Sequence, residues 1–453
     1  MCGLNFTPVT DVIESMNRAL SHRGLPGREH ARKVGDLHFG HVRLPVQGLD
    51  KKFDQPYEYG NSLFLFTGEI FNYKKLNPTA DSDVQVLAEM WTDIGELCFQ
   101  YFDGFWACVI YDSSDRRVHI LTDHLGKKPL YMHKRTHSVS SEIKALRLLE
   151  GGKEALDPMY FSSVEKWGYH IGPHTMFSGI EKIPPRTHII LHSLTLEKLS
   201  QEIYLNLEPW GIGDPVPDIR RTIEEAVENR LVSDLPVSIL LSGGLDSTII
   251  FELAKRRTKN LMAFHIDNDE SEYLEHIDFE GVPLKTLRLE EADLSTVLRY
   301  NEGPVDLGSM LPQYQLSRAI SNEGYRVAMS GDGADELFGG YRRIDEYDSQ
   351  YSDVFEELVY YHLPRLDKLM MANTVELRNP FLAVPVIRTA LKLTLEMRTH
   401  KKILKDVFSN LVPKAIIDRP KEPLKSPQVR QHGLEWIRHL SKLCKEEIQD
   451  ERR

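Results

Sequence analysis

The chain has 453 residues, too many for one typical hydrophobic core, so two domains are the default expectation. Its 56 Lys and Arg against 67 Asp and Glu leave a net charge of -11 with no long basic stripe, which argues against nucleic acid as the main ligand. No segment is apolar for the roughly 18 residues a membrane span needs, and the opening MCGLNFTPVT has neither a charged nor an apolar leader region, so a cytoplasmic location without membrane contact is expected. Cys2, Cys98, Cys108 and Cys444 lie far apart with no CxxC pair, which speaks against a disulfide framework and a zinc site. Cys98 and Cys108 fall inside apolar runs and are expected to be buried packing residues.

Between Cys2 and Leu146, short strands (Asp36 to Leu44, Leu63 to Ile70, Phe105 to Tyr111, Val118 to Thr122) alternate with helical stretches (Val12 to Leu20, Ser82 to Ile94, Glu142 to Leu149), the pattern of sheets covered by helices. Cys2 has its own chemistry. Trimming of Met1 leaves a cysteine whose α-amine, with a pKa near ~8, serves as a general base for the adjacent thiol. A cysteine at position 2 taken alone is more often incidental.

The punctuation that follows is more specific: His22-Arg23-Gly24, His41-Val42-Arg43-Leu44-Pro45, Gly68-Glu69-Ile70-Phe71-Asn72, Asp81-Ser82-Asp83, Asp123 to Tyr131, and Ser141 to Leu146. Cys2-Gly3 with this ordered series resembles the class II, N-terminal-nucleophile glutamine amidotransferase domain of the asparagine synthetase family. The resemblance implies an αββα sandwich, two antiparallel sheets between helical layers, with Cys2 as nucleophile. An amino-acid substrate needs a guanidinium for its α-carboxylate and acids for its α-ammonium, and Arg43 fits the first while Glu69 and Asp83 fit the second. The Gly68 N–H matches an oxyanion donor. Leu44 and Thr67 complete the expected glutamine site. Without the motif series, Arg43 would read as a surface strand residue and Asp83 as a helix cap. Two departures stand out: Thr67 replaces the asparagine that normally supplies a second oxyanion donor, which predicts a weaker glutaminase, and Thr122 replaces an arginine.

From about Leu149 to Glu202 the pattern weakens into an alternating run that ends in a strand at Thr187 to His192. The Pro/Gly-rich stretch Asn206 to Pro217 suggests a boundary, dividing the chain into 1–205 and 206–453. An amphipathic helix is expected at Asp218 to Val232. The stretch VSILLSGGLDSTII, Val237 to Ile250, reads as strand, glycine turn and helix start, a turn whose N–H groups, with the Ser242 and Ser247 hydroxyls, suit phosphate. Asp246 would repel a bare phosphate and makes sense with Mg²⁺ between them. The chain contains no GxxxxGK[ST]. Strands at Leu261 to Ile266 and Leu284 to Leu289 predict a doubly wound parallel sheet with ligands at the strands' carboxyl ends. A second loop of the same design, YRVAMSGDGADELFGGY at Tyr325 to Tyr341, adds Asp332, Asp335 and Glu336, and Asp246 with Asp335 are the expected metal ligands. A solvated acidic loop would be the plainer reading if only one such loop existed.

These stretches resemble the PP-loop synthetase domain of the same family, as do Glu302-Gly303-Pro304, Pro312 to Ser317, Val375 to Leu382 and Lys401 to Lys405. The resemblance implies that Leu240, Ile266, Ser330 and Gly331 contact adenosine of ATP, that Ser242, Gly243, Gly244, Leu245, Asp246 and Ser247 hold pyrophosphate, that Lys401 meets the phosphates, and that Asp332 lies at the aminating centre. The implied activity is glutamine-hydrolysing asparagine synthesis through an acyl-adenylate, with ATP as substrate, Mg²⁺ as cofactor, and glutamine and aspartate as small-molecule partners. Homodimer formation stays open. Ala383 stands where the motif normally ends in Asp, and the segment after Ile266 is short, so the same chemistry on another carboxylate is the nearest alternative. A non-catalytic nitrogen-sensing binder is the alternative from another class.

Overall fold

A computed structural model describes residues 2–207, 215–268, 271–290, 294–304, 308–341, 351–419, 438, 441, 442 and 444–446. Most of the stretch expected to hold the boundary, residues 208–214, lies outside these, as do 447–453 of the tail. The N-terminal half builds two six-stranded sheets from β1 (Gly3–Thr7), β2 (Glu29–Val34), β3 (Leu37–Val42), β4 (Tyr57–Tyr59), β5 (Ser62–Ile70), β6 (Gly104–Asp112), β7 (Arg117–Thr122), β8 (Tyr131–His133), β9 (Val139–Ser140), β10 (Ile180–Lys182), β11 (Thr187–His192) and β12 (Lys198–Ile203). Their orders are β10-β8-β9-β1-β3-β2 and β12-β11-β7-β6-β5-β4.

The layering follows from side-chain alternation along a strand. In β5, Leu63 and Leu65 join Leu4, Phe6 and Phe39 of the other sheet in one apolar cluster. The intervening Phe64 and Phe66 point the other way and join Val84, Leu87 and Trp91 of the helix Asp83–Ile94. β6 alternates likewise, with Ala107 and Val109 between the sheets and Trp106, Cys108 and Ile110 under the helix. On the far side, Ile13 and Met16 of the helix Ile13–Ala19 pack with Tyr131 and Ile143. The result is helix, sheet, sheet, helix, the expected αββα sandwich. Cys98 and Cys108 are fully buried packing residues.

The C-terminal half is a five-stranded parallel sheet of β13 (Val237–Leu240), β14 (Leu261–Ile266), β15 (Leu284–Leu287), β16 (Val327–Met329) and β17 (Glu376–Arg378), in the order β15-β14-β13-β16-β17. The chain moves outward from β13 to β15 and then returns to the opposite side for β16, so the order reverses between β13 and β16. In a doubly wound sheet this switch point is where a ligand crevice opens. Added helices such as Met310–Asn322 and Leu363–Met371 accompany the sheet. The expected helix after the boundary starts earlier, spanning Pro215–Arg230, and the Glu142 to Leu149 stretch divides into a helix at Ile143–Arg147 and a 3-10 turn at Leu148–Glu150.

The two halves share buried contacts. Asp367 accepts from Arg23 at 2.8 Å and from Lys128 at 2.9 Å, with each side chain almost fully enclosed. Glu302 accepts the N–H groups of Ile143 and Lys144 at 2.9 and 2.6 Å, capping the start of that helix from the other half. Phe71, Phe105, Leu44 and Val46 belong to the apolar cluster that fills the C-terminal half.

Two candidate active sites on one strand

Cys2 immediately precedes β1, whose pairing of Gly3 with Val42 sets it beside the end of β3, and its Sγ lies 3.9 Å from the Leu44 carbonyl oxygen. The residue is buried, and burial pushes its thiol up against the opposing pull of the Arg43 guanidinium. The Cys2 carbonyl accepts from the Thr67 hydroxyl at 2.9 Å and from Arg23 Nε at 3.0 Å. Thr67 thus ties β5 of one sheet to the nucleophile of the other. Next to it, Gly68 has φ +150, and an added Cβ would overlap the Phe105 carbonyl of the paired strand, so only glycine fits there.

Arg43 donates to the carbonyls of Asp50, Gln47 and Gly48 at 3.0, 3.1 and 2.6 Å and pairs with Asp54 at 2.9 Å, which folds the 47–54 loop around the guanidinium. Asp83 accepts the N–H groups of Ile70 and Val84 at 3.1 and 2.8 Å. Burial nevertheless raises its carboxyl to about 6. Glu69 is raised well above the ordinary carboxylate range by burial and by the neighbouring Glu376 and Asp83. Arg43, Glu69 and Asp83 are therefore buried, charged or chargeable, and grouped near Cys2, which is the arrangement a zwitterionic amino acid requires.

The second site forms at the carboxyl ends of β13 and β16, which pair as Ile239 with Met329. Ser242 and Ser247 hydroxyls lie 3.0 Å apart, Gly244 N–H donates to Ser242 Oγ at 3.2 Å, and Gly243 takes φ +79. The helix Leu245–Lys255 begins here, so its N-terminal N–H groups face the turn. Gly331 of the second loop lies so close that an added Cβ would fall 2.7 Å from Asp246 Cβ. Lys401 joins the loops: its ammonium pairs with Asp246 and, at 2.5 Å, with Asp335. Burial works against that charge, but the two carboxylates hold the Lys401 amine above its ordinary value. His400 and Lys401 both adopt left-handed backbone, φ 56 and 57, held by N–H bonds to Gly339 and Phe338 carbonyls at 3.0 and 2.9 Å. Strain of this kind at consecutive non-glycine residues clusters at functional positions.

Ser330 donates to Asp332 at 2.5 Å, and Asn379 donates to Ser330 at 2.8 Å. Burial raises the Asp332 carboxyl and brings Glu336 to about 7. Leu240 and Ile266 end the neighbouring strands β13 and β14, on the same rim as Ser330.

The connection between the sites lies in residues 376–379. Arg378 is fully buried, donates to Glu376 at 2.6 Å and to the Arg230 and Val232 carbonyls at 2.7 Å each, and stands 3.9 Å from Glu69. Asn379, the next residue, touches Ser330 in the other site. The quoted motif Val375 to Leu382 contained these residues, but nothing local in the sequence indicates that they bridge. Also without a role in the sequence reading are Asp54, Gln47, Arg23 and Arg419. Gln47 is buried with neither side-chain polar atom hydrogen-bonded among the described residues, and Arg419 donates to the Gly243 carbonyl at 2.9 Å. Thr122 donates to the Pro184 carbonyl at 2.7 Å and accepts from Thr187 N–H at 3.1 Å, joining β7 to β11. Ala383 is the N-cap of the helix Val384–Ala390 and supplies no side-chain cap.

A buried thiol grouped with Arg43, Glu69 and Asp83 on an αββα sandwich, and a serine-lined glycine turn at the switch point of a doubly wound sheet, make a two-part architecture. Residues 1–204 match the glutamine amidotransferase domain family, and residues 218–358 and 346–453 match the asparagine synthase family. The chain belongs to the asparagine synthase family. It is 25% identical to glutamine-hydrolysing asparagine synthetase 1 of Bacillus subtilis (strain 168) over 560 aligned positions, covering 95% of this chain and 86% of that protein. Against glutamine-hydrolysing asparagine synthetase B of Escherichia coli (strain K12) the identity is 24%, covering 100% and 86%. Similarity to amidase chry2 of Gibberella zeae is 26% over 74% of this chain and 56% of that protein.

Proposed function

We propose that the chain is a glutamine-hydrolysing asparagine synthetase in which residues 1–205 release ammonia and residues 206–453 consume it. The observation that carries this reading is the run Glu376 to Asn379, which touches Glu69 beside Cys2 at one end and Ser330 beside Asp332 at the other. With Met1 removed, the Cys2 amine takes the thiol proton and the thiolate attacks the glutamine amide carbon. Gly68 N–H stabilises the oxyanion; ammonia leaves and water hydrolyses the thioester to glutamate. Arg43 orients the α-carboxylate, and Glu69 and Asp83 the α-ammonium. In the second site an aspartate β-carboxylate oxygen attacks the α-phosphorus of ATP, and pyrophosphate leaves into the Ser242–Ser247 turn. Ammonia then attacks the acyl carbon and AMP departs, giving asparagine.

Asp246 and Asp335 converge on one cation, the Lys401 ammonium, so the site is built to receive positive charge between them. This fits Mg²⁺, which takes one or two carboxylates together with substrate phosphates. When bound it neutralises the charge of the leaving pyrophosphate.

A second reading, the same chemistry on a different carboxylate, is favoured by Ala383 and by the likeness to amidase chry2. Incubation with glutamine, ATP, Mg²⁺ and a panel of carboxylic acids, with masses taken of the products, separates the two. Asparagine and AMP with aspartate alone support the first reading. AMP formation with another acid and none with aspartate supports the second.

A further inference from the structure

A cavity of about 60 Å³ lies between the two halves, away from Cys2 and from the Ser242–Ser247 turn. Its walls include Tyr160, His170 and Lys182 of the N-terminal half and Tyr360, Arg365 and Lys368 of the C-terminal half. This is well below the ~300 Å³ at which pockets for larger organic ligands begin, and leaves room for a compact ion.

Its wall carries the cations Lys182, Arg365 and Lys368 and one carboxylate, Glu302. Lys368 is neutralised by Glu302, 2.8 Å away. Lys182 is 4% exposed, donates to the Val359 carbonyl and sits 5.2 Å from the Tyr360 ring centre, with no carboxylate partner among the described residues. Arg365 is 7% exposed, donates to Ser309 Oγ and to His362 Nδ1 at 3.4 Å, makes no ion pair with a described carboxylate although its charge acts on Asp332 from farther off, and its Nε has no hydrogen-bond partner among the described residues. Both ring nitrogens of His170 also lack a hydrogen-bond partner among the described residues. The Val359 carbonyl that receives Lys182 and the wall residues Tyr360 and Tyr361 come from a π-helical turn, Leu358–His362, a conformation rare enough to mark functional positions.

Buried cations without counter-ions are costly, and the fold holds two of them facing one small space. Burial, helped by the Lys368 ammonium and opposed by the Asp123 and Asp367 carboxylates, lowers the Lys182 amine to about 7, and a bound anion would raise it again. With His170 neutral, Lys182 and Arg365 are matched in charge by one dianion. We propose that this cavity binds a compact oxyanion dianion of phosphate size, gripped by Lys182 and Arg365, which fastens the two halves together. This site is separate from the ATP turn and does not depend on which acid the enzyme amidates.

The test is thermal melting of the full-length protein in rising inorganic phosphate at constant ionic strength. The α,β-methylene analogue of ATP is present with Mg²⁺ throughout, so that the Ser242–Ser247 turn is occupied. The melting temperature should rise saturably in the wild type. Lys182→Met and Arg365→Met should each weaken apparent phosphate affinity at least tenfold, and without phosphate Lys182→Met should melt no lower than wild type, because the methionine removes an unpaired charge. Absence of a phosphate-dependent rise in the wild type would overturn the proposal, as would an equal rise in both variants or an equal rise with acetate.

Discussion

Thr67 donates its hydroxyl hydrogen to the Cys2 carbonyl at 2.9 Å, a bond that positions the nucleophile and engages the hydroxyl's one proton. An asparagine at this position has the length to hold that bond and reach toward the substrate's oxygen. Thr67→Asn is therefore expected to raise glutamine turnover, by up to the roughly 10²–10³ that one oxyanion donor contributes, measured as glutamate release. Unchanged turnover would remove Thr67 from the oxyanion argument. Asp83 gives a pH signature. Its carboxyl is raised by burial to about 6, so it is charged at neutral pH and protonates as pH falls through that value. Only the charged form attracts the substrate ammonium. The kcat/KM for glutamine should accordingly fall on an acid limb with a component near pH 6, and Asp83→Asn should lower kcat/KM and remove that component while leaving the contribution of Glu69, whose carboxyl is also raised.

At the scale of elements, the paired ends of β13 and β16 make the ATP site a product of sheet order. Two loops 88 residues apart in sequence, counting from Ser242 to Ser330, meet because their strands are neighbours. Lys401 contributes a charge between Asp246 and Asp335 from a strained backbone. Asp246→Ala is expected to abolish AMP formation while sparing glutamate release from glutamine, measured in parallel on one preparation. Persistence of AMP formation would displace Asp246 from the phosphate site.

Elements differed in how plainly the sequence announces them. β5 lies between two apolar layers and announces itself as a continuous apolar run, Leu63 to Phe66. β2 and β12 are edge strands, and their residues EHARKV and KLSQEI are mostly exposed, so no apolar pattern exists to read. The helix Pro158–Trp167 carries a signal that the alternating reading of Leu149 to Glu202 overlooked: Asp157 caps it by accepting from the Met159 and Tyr160 N–H groups, ahead of a proline at the first position. Both glycine turns were legible because turn chemistry is local, whereas Cys2, Arg43 and Asp83 stood out only through the ordered motif series and the family it resembles. The Arg378 contact with Glu69 was not legible, since residues 309 positions apart leave no mutual trace in a single sequence.

At the scale of the whole molecule, the halves are joined through charge as well as apolar contact. Burial pushes the Asp367 carboxyl up, but the Arg23 guanidinium and Lys128 ammonium outweigh it and hold it below its ordinary value. Such a group adds stability that is complete above its ordinary value of 3.8 and is lost as pH falls below it. Asp367→Asn leaves the enclosed Lys128 ammonium without its ion-pair partner, while Arg23 keeps Glu142 at 2.7 Å, and a loss of about 3 kcal/mol is expected. The melting-temperature difference from wild type should be full at neutral pH and shrink in acid. A difference independent of pH would assign Asp367 a packing role only.

The most direct measurement follows nitrogen from one site to the other. Amide-¹⁵N-labelled glutamine is supplied with ATP, Mg²⁺ and aspartate, and the masses of amino acids and nucleotides are recorded for the wild type and for Cys2→Ala. The wild type should yield ¹⁵N-asparagine with AMP and pyrophosphate, and Cys2→Ala should yield asparagine only when an ammonium salt is added. Wild-type protein that forms neither AMP nor an amide, or a Cys2→Ala variant that still transfers ¹⁵N from glutamine, would contradict the coupling of the two sites.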